Sequence, residues 1–100
     1  MLYTRDPAGI QASELINITE FSDKDVLEIG CGEGYLTFAY ASHTAKVDAI
    51  DTDPDSIEQA ILSTPSELVD RIRFIATGIA DFASALPGSR YDIAIFAWSL

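Results

Sequence analysis

The stretch VLEIGCGEGYLT, residues 26–37, constrains this chain more than any other. Val26, Leu27 and Ile29 make a short apolar strand pattern. Gly30, Gly32 and Gly34 then punctuate a turn, and Tyr35, Leu36, Phe38, Ala39 and Tyr40 continue with apolar residues at helical spacing. Strand, glycine turn and helix in direct succession open a βαβ unit of the nucleotide-binding kind. Glycine lets the backbone take positive φ or approach a ligand closely, so a bound molecule can lie against main-chain N–H groups at the helix N-terminus. A plainer reading, in which the turn only joins strand to helix, rests on the same residues.

The spacing and the charges narrow the ligand. The dinucleotide fingerprint is G-x-G-x-x-G, whereas here the third glycine comes one residue early. Glu28 stands two residues before the first glycine and Glu33 lies inside the loop. A pyrophosphate would meet two carboxylates where it needs positive potential, so Coulomb repulsion opposes it. A ligand carrying an ammonium and a sulfonium would be attracted instead. The stretch resembles motif I of the class I (Rossmann-like) S-adenosylmethionine-dependent methyltransferases. That resemblance implies that Gly30, Cys31, Gly32 and Gly34 carry the methionine part and that Glu28 meets its ammonium, directly or through water. A side chain at Gly32 is then expected to block the ligand while leaving the fold largely intact.

Residues 46–51, KVDAID, form a second strand pattern ending in an acid. Asp51 follows Gly30 by 21 residues, near the ~20-residue offset at which a Rossmann acid receives ribose hydroxyls. A carboxylate suits a vicinal diol because it can accept two hydrogen bonds. Nicotinamide enzymes use the same acid, so Asp51 supports adenosine without choosing the cofactor. Its alternative role is to cap the next turn.

The remaining chain alternates strand and helix patterns. Residues 1–5 read as a frayed lead-in, and Asp6-Pro7 with Ile10, Leu15 and Ile16 predicts a packing helix over roughly 7–17. The helix after the glycine loop is expected to reach about Ser42. Asp53-Pro54 caps a helix to Leu62 with Ile57, Ala60 and Ile61 facing inward, and Thr64-Pro65-Ser66-Glu67 reads as a capping box for a short helix through Val69. RIRFIA, residues 71–76, is a strand whose arginines suit an edge. Residues 80–86 predict a helical turn ended by Pro87-Gly88, and YDIAIFAW, residues 91–98, a last strand resembling the family's motif IV. By the resemblance, Thr52, Gly78 and Ile79 flank adenine. An acid commonly follows the glycine in the family; Ile79 stands there, with Asp81 as a substitute two residues on. Tyr35 and Trp98 could wall a methyl site but read more readily as core.

The chain has 16 Asp and Glu against 6 Lys and Arg, a net charge of −10. Such a surface repels phosphate backbones, so the expectation is a small-molecule substrate and no nucleic acid for this segment. No apolar run reaches membrane-spanning length and no basic leader precedes an apolar segment. One cysteine, Cys31, excludes an internal disulfide and fits a reducing cytoplasm. His43 is the only histidine, and no metal site is expected.

Together these observations predict an α/β fold, a Rossmann-like parallel sheet with flanking helices and short apolar strands. The resemblance runs from about Asp23 to Leu100 and implies strand order 3-2-1-4 of a 3-2-1-4-5-7-6 methyltransferase sheet. Residues 1–100 then form a single, incomplete S-adenosylmethionine-binding domain. The implied activity is methyl transfer to a small-molecule nucleophile with S-adenosylhomocysteine as product, and no catalytic residue is assigned. The alternatives are a non-catalytic S-adenosylmethionine-binding fragment or, less well supported, an NAD(P)-dependent oxidoreductase. Ile93 to Trp98 is apolar enough to expect neighbours on both sides, so self-association through it is the expectation for a truncated chain.

Overall fold

The computed structural model describes residues 2–4, 21–85 and 91–97. Five parallel strands form one sheet: β1 (Leu2–Thr4), β2 (Asp25–Ile29), β3 (Lys46–Asp51), β4 (Ile72–Ala76) and β5 (Ile93–Phe96), in the spatial order β1-β5-β2-β3-β4. Among the described residues three α-helices accompany them: α1 (Tyr35–Tyr40), α2 (Pro54–Ser63) and α3 (Ile79–Ala85). The four strands from β2 to β5 stand in the expected 3-2-1-4 order, with Val26 opposite both Val47 and Ile93.

β2 is central, and three consecutive residues, Val26, Leu27 and Glu28, are buried. Consecutive burial follows from a parallel strand covered on both faces. On one face Val26, Val47, Ala49, Ile93 and Ile95 pack with Leu36 and Tyr40 of α1 and Ile57 of α2. On the other, Leu27 and Ile50 pack with Phe82 of α3, and Tyr91 lies beside them.

Four expectations are corrected by the structure. Leu2–Thr4 is not frayed: it pairs in parallel with β5, Leu2 opposite Ala94 and Thr4 opposite Phe96. The edge of β5 is thereby paired within the chain, and the unpaired edge on which self-association through Ile93 to Trp98 depended is absent; Trp98 lies outside the described residues. A three-residue strand has too little alternation to be read locally, and its pairing is decided by a partner some ninety residues away. In α2, Ile57 and Ala60 are buried but Ile61 is 54% exposed. The capping box does not form: the Thr64 hydroxyl donates back to the Ala60 carbonyl at 2.8 Å, and only a 3-10 turn, Ser66–Leu68, follows. Thr64 closes one helix instead of opening the next. The helix expected over 7–17 and the Pro87-Gly88 stop lie outside the described residues.

The Asp53 cap is as expected, its side chain accepting from the Asp55 N–H at 3.0 Å. The Ser56 hydroxyl and then that N–H hold the Asp53 carboxyl below its ordinary range. A depressed carboxyl stabilises the folded state above its unfolded pKa, and that contribution is lost as pH falls through the folded value.

At the β4 edge of the described sheet, Arg73 forms an ion pair with Asp48 at 3.0 Å, and the Tyr91 hydroxyl donates to the same carboxylate at 2.7 Å. Burial first, and then Asp48, raise the Tyr91 phenol above its ordinary pKa. Arg73 is 61% exposed, so Arg73→Ala is expected to cost under about 1 kcal/mol. Tyr91→Phe is expected to cost more, about 1–2 kcal/mol, because a partly buried carboxylate loses a donor. Urea unfolding of both variants checks the order; a larger loss for Arg73→Ala contradicts it.

Candidate functional site

In open parallel sheets ligands bind beyond the carboxyl ends of the strands. At that end lies a cleft of about 470 Å³ lined by Glu28, Gly30, Cys31, Gly32, Glu33, Tyr35, Leu36, Ser56 and Ala97. Two larger hollows, of about 610 and 580 Å³, lie away from it, one around Ser22, His43 and Arg71 and one along Lys46 and Arg73. Neither touches the glycine loop.

The loop is built by the sheet. The Gly30 and Cys31 N–H groups both donate to the Ile50 carbonyl, at 2.8 and 3.1 Å, continuing the β2–β3 ladder past the strand end. Gly34 N–H donates to the Cys31 carbonyl at 3.1 Å, and Gly32 N–H donates to Asp51 Oδ2 at 2.9 Å. Four of the loop's five N–H groups, those of Gly30, Cys31, Gly32 and Gly34, thus already have acceptors within the fold. They are committed to the fold, because a parallel ladder and a tight turn each need their donors.

The glycines differ in task. At Gly32, φ is +57° and an added Cβ would meet nothing within 4 Å, so the position opens outward. At Gly34, φ is +92° and a Cβ would stand 3.0 Å from the Phe38 ring and 3.2 Å from Phe74. Gly34 is the residue that lets α1 start against the sheet. Any L-residue at Gly32 is strained by its φ, so a substitution there costs stability even where it meets no atom.

Asp51 joins the loop to the next turn: Oδ2 accepts from Gly32 N–H and Oδ1 from Asp53 N–H, both at 2.9 Å. The turn cap is thus present, and the same carboxylate also anchors the glycine loop. Glu28 is fully buried, its Oε1 accepting from the Thr37 hydroxyl at 2.7 Å and the Tyr40 hydroxyl at 2.6 Å. The Cys31 thiol is pushed well above its ordinary pKa, first by burial and then by the charges of Glu28 and Asp51. Burial and the two nearby carboxylates both disfavour the thiolate, the form that acts as a nucleophile.

Residues 20–99 match the protein family described as a methyltransferase domain. The chain belongs to that family. It is 27% identical over 88 residues to a tRNA/tmRNA (uracil-C(5))-methyltransferase of Aliivibrio salmonicida, covering 84% of this chain and 24% of that protein. It is 39% identical over 80 residues to a ribosomal protein arginine N-methyltransferase of Schizosaccharomyces pombe, covering 78% and 14%. The crystal structure of magnesium protoporphyrin IX methyltransferase from Synechocystis PCC 6803 with bound SAM superimposes with a TM-score of 0.67 at 23% identity, over 85% of this chain and 39% of that one. The last likeness speaks for the fold. The chain spans about a quarter or less of the length of these two curated relatives.

These relatives correct the expectation about partners. An acidic balance was expected to exclude nucleic acid and leave a small-molecule substrate, yet this methyltransferase domain matches proteins named for tRNA and for protein arginine. A charge count over a stretch that matches a quarter or less of these relatives' length does not decide what such proteins bind.

The other expected site residues, Thr52, Gly78 and Ile79, follow the carboxyl ends of β3 and β4 and do not line the cleft itself. Thr77 N–H donates to the Asp51 carbonyl at 2.9 Å, bringing the end of β4 beside that of β3. A Cβ on Gly78 would lie 3.6 Å from Thr52 Cγ2, so Thr52 and Gly78 are neighbours. Ile79 begins α3 at 43% exposure, and Asp81 lies in the exposed first turn. Tyr35, expected in the core, is 85% exposed at the cleft, because it opens a helix whose buried face is made by Leu36, Thr37 and Tyr40. Ser56 and Ala97 were not anticipated. Ser56 could have been found from its place in the first turn after the Asp53 cap, whereas Ala97 reaches the cleft only through the β2–β5 pairing, its N–H donating to the Ile29 carbonyl at 2.8 Å. Among the described residues no group of three or more His, Cys, Asp or Glu is placed to hold a metal, and no helix is long and apolar enough to cross a membrane.

Proposed function

We propose that this chain is the S-adenosylmethionine-binding portion of a methyltransferase, with the cofactor in the cleft at the carboxyl ends of β2 and β3. The observation that carries the reading is the Gly32–Asp51 pair. A glycine with open space above it is tied by 2.9 Å to a carboxylate at the next strand end. Each Asp51 oxygen accepts from one backbone N–H and retains acceptor capacity, which suits the two hydroxyls of a ribose. The charges of Glu28 and Asp51, which add to burial in raising the Cys31 thiol, suit an ammonium and a sulfonium and oppose a pyrophosphate.

In this reading Gly32 leaves room for the ligand, Asp51 orients the ribose, and Glu28 supplies negative field beneath the loop. Gly30, Cys31 and Gly34 shape the turn, while Thr52, Gly78 and Ile79 flank the adenine. The bound cofactor supplies an activated methyl group, so the chain's own contribution is orientation. Holding reacting groups in line can supply up to roughly 7–11 kcal/mol of a barrier. For the acceptor, the tRNA and arginine methyltransferase relatives favour a macromolecular nucleophile, held by surfaces other than the acidic one described.

Thermal unfolding with S-adenosylhomocysteine and with NADH tests the reading. S-adenosylhomocysteine is expected to raise the midpoint, through about 2.7 kcal/mol at a hundredfold excess over Kd, and NADH to leave it unchanged. A shift with NADH alone would assign the nicotinamide chemistry; a shift with neither would leave only a fold.

A further inference from the structure

Among the described residues the most deeply buried polar cluster lies under the glycine loop, and its members come from two elements. Glu28 sits in the middle of the central strand at 0% exposure, while Thr37 and Tyr40 come from one face of α1, three residues apart, and are also at 0%. Both hydroxyls converge on the same oxygen, Oε1, at 2.7 and 2.6 Å. The Tyr40 ring is stacked on Phe21 with centroids 5.0 Å apart, so the hydroxyl is delivered by a ring that packing holds in place. An apolar pair would fill this volume at lower desolvation cost, because a buried carboxylate is expensive unless its hydrogen bonds are met. The same carboxylate borders the cleft.

We propose that Thr37 and Tyr40 are positioning residues for Glu28: by donating both hydroxyls to Oε1 they fix a negative charge beneath the glycine loop that selects ligands bearing an ammonium group. The proposal rests on the cofactor reading above and adds to it a determinant, within α1, for the amino-acid end of the ligand. Glu28 acts from below the surface, through its field or through one water, and its orientation is therefore set by the helix and not by the ligand.

The test compares two probes on the whole chain by calorimetry. S-adenosylhomocysteine carries the ammonium, and 5′-methylthioadenosine presents the same nucleoside without it. Tyr40→Phe keeps the ring and removes the hydroxyl, and Thr37→Val does the same at near-constant volume. Each is expected to weaken S-adenosylhomocysteine about tenfold while 5′-methylthioadenosine changes less than about twofold, and Thr37→Ser is expected to restore wild-type discrimination. Equal losses for both probes would make the cluster a structural element only and overturn the proposal, as would unchanged S-adenosylhomocysteine affinity in both hydroxyl-free variants. If Tyr40→Phe fails to fold, the Thr37→Val and Thr37→Ser pair decides alone. Wild type that binds neither probe refutes the cofactor reading itself. Wild type that binds both equally refutes the selection and leaves that reading standing.

Discussion

Gly34→Ala is expected to lower the unfolding free energy by about 2–4 kcal/mol, and Gly32→Ala by only about 1–2 kcal/mol. Both positions have positive φ, so both variants carry the left-handed backbone cost. Only at Gly34 does the new methyl also collide, at 3.0 Å with Phe38 and 3.2 Å with Phe74. The Phe38 ring is not free to swing aside, because it meets Phe74 edge-on with centroids 5.8 Å apart. For ligand affinity the order should reverse: Gly32→Ala places its methyl in the open space above the loop and should lose S-adenosylhomocysteine binding in molecules that remain folded. Denaturant unfolding paired with calorimetry separates the two effects. A Gly32 variant less stable than the Gly34 variant would contradict the assignment of packing to one glycine and access to the other.

Asp51→Ala is expected to weaken S-adenosylhomocysteine by about 1–3 kcal/mol, roughly five- to 150-fold, through loss of charge-assisted hydrogen bonds. The variant should also melt earlier, because the Gly32 and Asp53 N–H groups lose their acceptor. Asp51→Asn divides these contributions. One amide oxygen can still accept from Gly32 or from Asp53, but the amide nitrogen cannot accept from the other or from a ribose hydroxyl. Its stability should recover more than its affinity. Calorimetry giving wild-type affinity for both variants would remove Asp51 from the site and leave it as a turn cap.

The sequence by itself determined the βαβ order, because the period of the apolar residues changes from strand to helix at the glycines and again at Asp53-Pro54. Those signals are local. Gly30, Gly32, Gly34 and Asp51 could be singled out because their constraints, a turn and a strand end, act over a few residues. The tertiary structure alone decided what each one does. Gly34 differs from Gly32 only because Phe38 and Phe74 converge on it, and Phe74 belongs to a strand forty residues away. Glu28 could be marked as an acid before a glycine loop, but the two hydroxyls that hold it are invisible until α1 folds back over β2. Leu2–Thr4 becomes a strand only because β5 presents a complementary edge. In each case the deciding contact crosses from one element to another, over nine and twelve residues at Glu28, forty at Gly34 and some ninety at Leu2–Thr4, and periodicity and capping carry no record of which partner packing will supply.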